Sequence, residues 1–354
     1  MDVPIDTPKA VREGEGLDLD QLERYLKDVI PGLDGPLSVA QFPSGFSNLT
    51  YLLTVGDREL ILRRPPFGSK VKSAHDMGRE YKVLSALNPI YPAAPKPLAL
   101  CDDPAIMDAQ FYVMERIRGV ILRGEKPKGF DTSADTVRGC CEAFVKNLAD
   151  LHSLDYTAAG LADLRREGSY VERQVMGWIK RYGGSQTDDI PMIDTVMEWL
   201  QANYPADSDA TLVHNDYKFD NVVLDAHDPT KIIGVLDWEM CTIGDPLMDL
   251  GTTLGYWIEK DDGDLGVIQC FLSYEEGMMT RKEVAHRYSE LTGRDISNLQ
   301  FYYVFSLFKL AVIVQQIYYR YKQGLTKDER FAGLIYVVGA LGNRGVECMA
   351  SGEV

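Results

Sequence analysis

The sequence predicts an α+β chain in two lobes, a β-rich one first and a mostly helical one second. Three observations lead there. The length, 354 residues, exceeds what one hydrophobic core usually organises. Residues 37–66 run apolar in short, turn-punctuated stretches, and "FYVMERIRG" adds a further strand that ends in a charged connector. From Thr132 onward apolar residues recur at helical spacing, interrupted by two short strand-like runs, "NVVLD" and "KIIGVLDWE".

Each element has its own signal. Residues 1–16 are polar and acidic; they read as a flexible arm and lack the apolar stretch of a secretion signal. "LDLDQLERYLKDVI" carries apolar residues at 19, 22, 26, 29 and 30, which is helical spacing. In "LSVAQFPSGFSNLTYLLTVGDRELILRRPP" the pair Gly56-Asp57 separates two strands as a hairpin turn does, and Pro65-Pro66 stops the second. "AHDMGREYKVLSALN" returns to helical period. "TVRGCCEAFVKNLADLHSLD", "RQVMGWIKRYGG" and "MIDTVMEWLQANY" continue it. The apolar "FYYVFSLFKLAVIVQQIYYRYK" holds Lys309, Gln315 and Gln316. A lysine near its middle is costly in lipid, so a buried helix is expected rather than a membrane span.

Charge and cysteines narrow the function classes. The net charge is 37 − 53 = −16, which argues against nucleic acid as a partner, since phosphate-backbone binding needs a basic face. The six cysteines, at 101, 140, 141, 241, 270 and 348, show no metal-ligand spacing and fit the reduced thiols of a cytoplasmic protein.

The chemistry concentrates at "LVHNDYKFDN" and in the thirty residues beyond it. Asp216 offers a carboxylate to take a hydroxyl proton as that oxygen attacks phosphorus. Lys218, two residues on, can place positive charge on the moving phosphoryl group. Asn221 offers an amide oxygen to a hard cation such as Mg²⁺. A polar turn ahead of a strand would carry similar residues. Sixteen residues later Asp237 ends the apolar run of "GVLDWE", where a sheet would fix its backbone. Two strands returning toward each other would bring Asn221 and Asp237 to one mouth, as phosphoryl transfer with divalent cations requires. In "IGDPLMDLG", Asp245 reads as a turn residue and Asp249 as a brace that accepts backbone N–H bonds from the catalytic loop. His214 is expected to hold that loop by hydrogen bonds, and His152 to brace a helix end.

The first lobe contributes a candidate nucleotide site. Ser44, Gly45, Phe46, Ser47 and Asn48 form a turn whose N–H groups either cover phosphates or make a plain hairpin. Arg63 ends the strand "LILRRPP", where a kinase places a cation tied to a glutamate on the next helix; Glu80 is the candidate, against a solvent-facing glutamate. In kinases the segment that stands where "YVMERIRG" does binds adenine through backbone groups, which would make the Glu115 carbonyl and the Ile117 N–H the contacts.

Taken in order, "FPSGFSNLTYLL", "LILRRPP", "GREYKVLSAL", "YVMERIRG", "HNDYKFDN" and "LDWEMCTIGDPLMDLG" resemble the aminoglycoside phosphotransferase and choline kinase group. The likeness is greatest to the phosphotransferase domain fused to certain acyl-CoA dehydrogenases and to its stand-alone bacterial relatives, and it covers about residues 37–345. The resemblance implies a bilobal protein-kinase-like fold with an N-lobe over 1–114, a hinge at 115–118 and a C-lobe over 119–354. It implies ATP and Mg²⁺ between the lobes, Asp216 as catalytic base, and Asn221 and Asp237 as metal ligands. Arg63 stands where lysine is usual, a departure shared with choline kinases, and Lys218 is more like the protein kinases. No A-P-E activation segment is present, so a small-molecule acceptor is expected. For the dehydrogenase-linked relatives the resemblance implies phosphorylation of a hydroxyl on an acyl chain, notably a 4-hydroxyacyl-CoA thioester.

Local support for a CoA thioester is two basic groups, Arg116, Arg118, Arg123, Lys126 and Lys128, and then Arg165, Arg166 and Arg173; both also read as solubilising charge. Tyr256 and Trp257 are candidates either for the acceptor pocket or for the core. Two rivals stand beside this reading. One is a kinase of a cationic alcohol or aminoglycoside, rimmed by the acidic stretches at 187–189 and 259–264. The other is a nucleotide-binding pseudokinase without turnover. Oligomeric state is not legible.

Overall fold

A computed structural model describes residues 6–43, 48–67, 76–326 and 328–354. The first lobe is built on a five-stranded antiparallel sheet. Its strands are β1 (Leu37–Gln41), β2 (Leu49–Val55), β3 (Arg58–Arg64), β4 (Pro97–Cys101) and β5 (Phe111–Glu115), in the order β1-β2-β3-β5-β4. Val55 pairs with Arg58 across Gly56-Asp57, and Gly56 takes a positive φ of 57° that admits the tight reversal.

The two faces of the sheet serve different cores, as alternation along a strand dictates. Leu49, Tyr51, Leu53 and Val55 join Leu60 and Leu62 against Leu22 and Leu26 of helix α1 (Leu19–Val29). Leu52 and Ile61 face the other way, into the core shared with helix α2 (Met77–Leu87) and the second lobe. Asp18 and Asp76 cap α1 and α2, accepting from Gln21 N and Arg79 N.

The second lobe carries α3 (Ala134–His152), α4 (Tyr170–Ser185), α5 (Pro191–Asn203), α6 (Pro246–Gly255), α7 (Arg281–Thr292), α8 (Leu299–Lys322) and α9 (Leu334–Ser351). Two short antiparallel ribbons interrupt them. β6 (Thr211–Val213) pairs with β9 (Thr242–Gly244), and β7 (Val222–Leu224) pairs with β8 (Ile232–Val235). Val120, just past the first lobe's last strand, bonds Leu224 in both directions at 2.8 Å and joins the connector to this second region. The fold is thus mixed α+β, with an N-terminal sheet and a helical C-terminal region.

α8 is long and apolar enough to cross a membrane by length and composition, and 83% of its most apolar window is buried inside the protein. Lys309 lies within it, 3% exposed. The six cysteines are free, and all but Cys270 are buried.

The structure corrects the expectation of a flexible arm over 1–16 for the part it describes. Lys9 and Gln41 exchange backbone hydrogen bonds of 2.8 Å, Asp6 receives both guanidinium nitrogens of Arg123, and Tyr51 Oη donates to Glu15 O. The arm is polar because it satisfies an edge strand and a half-buried cation, not because it is free.

Candidate active site

The loop between β6 and β7 carries His214, Asn215, Asp216, Lys218 and Asn221. Its course is fixed by an unusual number of bonds. Asp249, fully buried on α6, accepts from His214 N at 2.6 Å and from Asn215 N at 2.7 Å. His152 Nε2 lies 3.1 Å from the same carboxylate, and its Nδ1 lies 2.7 Å from Tyr288 Oη. Burial pushes the Asp249 carboxyl up, but its hydrogen bonds and the neighbouring imidazoles outweigh burial and hold it below the usual carboxylate range. Asn215 takes φ 66°, a left-handed conformation that few side chains adopt. It is held there by three contacts: Tyr170 Oη donates to its Oδ1 at 2.8 Å, its Nδ2 donates to Met240 O at 3.1 Å, and Lys309 Nζ donates to its carbonyl at 2.6 Å. Burial pushes the Lys309 ammonium down to about 8.

This geometry aims Asp216. Asn221 Nδ2 donates to both Asp216 O and Asp216 Oδ2 at 2.8 Å, and Lys218 Nζ stands 3.1 Å from Oδ2. Lys218 also lies over the Tyr256 ring, 4.5 Å from its centroid. Burial works against the Lys218 charge, yet Tyr256 and Asp216 beside it hold its pKa above the ordinary value.

β7 and β8 bring Asn221 and Asp237 together. Val222 pairs with Val235, and Leu236 N donates to Asn221 O at 2.7 Å, so the residues flanking the ribbon share one end of it. Asp237 also has positive φ, 67°. His214 Nε2 reaches Leu236 O at 2.9 Å and ties the two loops together. Because Asn221 spends its NH₂ on Asp216 and Asp237 spends Oδ1 on Arg63, each keeps one oxygen that no hydrogen bond takes up among the described residues. Two hard oxygen donors, one charged, fit a Mg²⁺ that takes its other ligands from phosphates and water. Among the described residues no group of three or more His, Cys, Asp or Glu gathers, so an all-protein cage is not the pattern here.

The first lobe reaches this point through Arg63 on β3. Arg63 Nη1 donates to Glu80 Oε1 at 2.8 Å and Nη2 to Asp237 Oδ1 at 2.9 Å. Glu80 also accepts from Trp238 N at 3.2 Å. Burial pushes the Asp237 carboxyl up; the Arg63 charge and hydrogen bond, with His214 and Lys218 nearby, outweigh it and hold it low. Arg63 Nε is buried and has no hydrogen-bond partner among the described residues.

The remaining nucleotide-side candidates divide. Ser44, Gly45, Phe46 and Ser47 lie outside the described residues. Asn48 is buried, and its side chain donates to Glu239 Oε2 at 2.8 Å, a bond between the lobes. Glu115 ends β5 with its carboxylate paired to Lys96 at 3.1 Å. The Ile117 side chain packs on Gly234 of β8, where a Cβ would sit 2.8 Å from it. Its N–H forms no hydrogen bond among the described residues.

Sequence reasoning missed the structural use of several residues. Glu239 and Arg79 were not singled out, yet Arg79 donates to the Glu239 and Cys241 carbonyls and clasps α2 to the loop after Asp237. Tyr170, which anchors Asn215, gave no signal beyond its helix. Lys309 drew notice only as a charge in an apolar run, and that mismatch was the clue to its role.

Two cavities flank the loop. One, of about 70 Å³, is lined by Phe144, Lys218, Phe219, Tyr256, Trp257 and Ile268 among others. The second, of about 380 Å³, lies beyond Tyr170 and is lined in part by Arg165, Arg166 and Arg173.

Comparison with known proteins identifies the family and the fold. Residues 38–282 match the model of the phosphotransferase enzyme family. Acyl-CoA dehydrogenase family member 11 of Rattus norvegicus is 35% identical over 339 residues, which are 93% of this chain and 43% of that protein. The chain therefore spans less than half the length of that relative. A solved structure from Ralstonia eutropha JMP134, named as a candidate aminoglycoside phosphotransferase, is 30% identical with a TM-score of 0.78, covering 94% of this chain and 98% of that one. A thermostable variant of the aminoglycoside phosphotransferase APH(4)-Ia, solved with AMP-PNP and hygromycin B, shares the fold at 16% identity and a TM-score of 0.58, covering 94% of this chain and 99% of that one. With a family match over most of its length and a protein-kinase-like fold, the chain belongs to the phosphotransferase enzyme family.

Proposed function

We propose that the chain is an ATP-dependent small-molecule kinase whose acceptor is a hydroxyl on an acyl-CoA thioester or a related hydroxy acid. The observation that carries the kinase reading is the meeting of Asp216, Asn221, Asp237 and the Arg63–Glu80 pair where the sheet lobe touches the helical one. Asp216 accepts the hydroxyl proton as that oxygen attacks the γ-phosphorus, the bridging oxygen leaves with the β-phosphate as ADP, and the acceptor carries the phosphoryl group. Lys218 carries positive charge toward the transferring group, Arg63 toward the nucleotide phosphates, and the 115–117 connector offers its backbone to adenine. A magnesium ion held by Asn221 and Asp237 would neutralise charge on the phosphates.

Two features support the acceptor class. The cavity beside Lys218 has one wall of Phe144, Phe219, Tyr256, Trp257 and Ile268, which suits an acyl chain, while Lys218, Asp220 and Gln269 supply its polar side. The acidic stretch 259–264 does not rim it as a cationic acceptor would need: Asp262 is buried and Glu259 bonds Arg281 N and Nη2, while Arg281 also takes Asp262 at 2.8 Å. The relative named as an acyl-CoA dehydrogenase family member points the same way.

The test is ATP consumption by the full chain against hydroxyacyl-CoAs, free hydroxy acids, choline-like alcohols and aminoglycosides. Turnover is expected with hydroxyacyl-CoAs. Turnover with a cationic alcohol or an aminoglycoside alone would replace this acceptor class, and no turnover with any of them would favour a non-catalytic nucleotide binder.

A further inference from the structure

The two basic groups that the sequence offered have different fates. Arg116 and Arg118 both pair with Glu59, and Arg123 is held by Asp6. Glu59 and Asp6 thus offset most of the charge of these three arginines within the fold. Arg165, Arg166 and Arg173 instead line the cavity of about 380 Å³. Among the described residues none of these three forms an ion pair. Arg173 Nη1 donates to two backbone carbonyls, Glu167 O at 2.5 Å and Gly168 O at 2.7 Å, which shape the turn and leave the charge in place.

The cavity also holds two carboxylates, Asp207 and Asp209, and against burial the Arg173 charge helps hold the Asp207 carboxyl low. Asp207 accepts from Ser169 Oγ, Tyr170 N and Val171 N at 2.7, 2.7 and 3.0 Å. Asp209 accepts from Arg294 Nη2 at 3.0 Å and from Ala210 N at 2.7 Å. On a chain of net charge −16, three guanidiniums against two carboxylates, of which Asp209 is paired to Arg294, leave this concave spot with a cationic excess. Guanidinium forks match the oxygens of phosphate esters, and three around one cavity suit a group with more than one phosphate.

The cavity is also coupled to the catalytic loop. Tyr170 forms part of its wall and donates to Asn215, the neighbour of Asp216. The segment that carries Arg165 and Arg166 is tied to β9 by Thr242 Oγ1 donating to Leu164 O at 3.1 Å. Ile243 of β9 pairs in turn with Leu212, two residues before His214.

We propose that this cavity is a second anion site, separate from the nucleotide site, which binds the phosphate groups of the CoA moiety on the acceptor. The proposal rests on the thioester reading above and adds a place for the acceptor's charged handle. It distinguishes an acyl-CoA from the corresponding free acid, which carries no such group.

Calorimetry on the full chain tests it with three titrants: CoA, inorganic phosphate, and AMP-PNP with magnesium. The variant is Arg165→Gln/Arg166→Gln, with Arg166→Glu as a second. Both sites are exposed, and an unchanged melting temperature confirms the fold. Wild-type chain should bind CoA, and the double variant should bind it at least tenfold more weakly with AMP-PNP affinity unchanged. The KM for a hydroxyacyl-CoA should rise in step. CoA binding that is absent in the wild type, or equal in wild type and variants, overturns the site. So does a wild type that binds inorganic phosphate or AMP-PNP there as tightly as CoA. Turnover of hydroxyacyl-CoA that ignores the substitutions removes the site and keeps the acceptor class. CoA binding that needs these arginines, without turnover of any hydroxyacyl-CoA, keeps the site and removes the acceptor class.

Discussion

The two sides of the candidate centre are built to different degrees of completion. The loop bearing Asp216 is over-determined: backbone N–H groups of His214 and Asn215, the Asn215 side chain and carbonyl, and the Tyr217 carbonyl all have partners, from Asp249, Tyr170, Lys309 and Thr253. The side bearing Arg63 is tied more loosely at its cation: Arg63 bridges Glu80 and Asp237 and is left with a buried Nε that has no hydrogen-bond partner among the described residues. A base must be aimed before substrate arrives, because misplacement by an ångström is costly. A phosphate clamp gains its last bonds only when the phosphate is present. Under the proposed function, that difference fits a preorganised base in the helical lobe and a phosphate clamp in the sheet lobe that its ligand completes.

Substitutions can break this contrast. The largest effect is expected for Asp216→Asn. It should lower kcat by roughly 10³-fold, within the range for losing a general base, and leave AMP-PNP affinity nearly intact. Equal loss of binding would show that the loop belongs to the nucleotide site. Next comes Asp249→Ala, which strands two buried N–H groups and His152. Urea unfolding should show a loss of about 3 kcal/mol, and the refolded protein should lose kcat as well. An unchanged midpoint would mean the loop does not need its brace.

Lys309 sharpens the same side through pH. Its folded pKa, about 8, lies below the unfolded value near 10.5. The unfolded chain therefore binds the extra proton between those values, and this group's penalty on stability is relieved as pH rises through that window. Wild type should gain about 2 kcal/mol relative to Lys309→Met between about pH 7.5 and 9.5. Parallel curves would place the lysine's titration elsewhere. The smallest effect is expected for Arg63→Lys, which keeps the charge but cannot span two carboxylates. AMP-PNP should bind roughly tenfold more weakly, with a smaller loss of stability from the one buried carboxylate that loses its partner. A matching loss of stability would mean that Arg63 is structural before it is functional.

How far the sequence could be read depended on how local each signal is. The helices α1–α5 and strands β1–β3 and β7–β8 announced themselves because amphipathic period and turn residues act over a few positions. Asp249 was legible as a brace, and Asn221 and Asp237 as neighbours, because strand pairing constrains loop ends. β4, β6 and β9 were not anticipated. β6 and β9 are three residues each and exist only through pairing with segments some thirty residues apart, which no local period encodes. The same holds for Arg116, Arg118 and Arg123, whose partners Glu59 and Asp6 are distant in sequence. Charge counted along the chain could not separate that compensated group from Arg165, Arg166 and Arg173.

The long helix α8 carries one more consequence. Its apolar surface is covered by α6 on one flank and by α9 on another, where Val338, Leu341 and the small residues Gly342 and Gly345 lie buried. Of the helices described, α9 leaves the ribosome last. Until it docks, the flank of α8 that faces α9 has no cover, although α4, α5 and α6 precede α8 in the chain and cover the rest. Versions shortened before Leu334 should therefore expose that flank and lose solubility relative to the full chain.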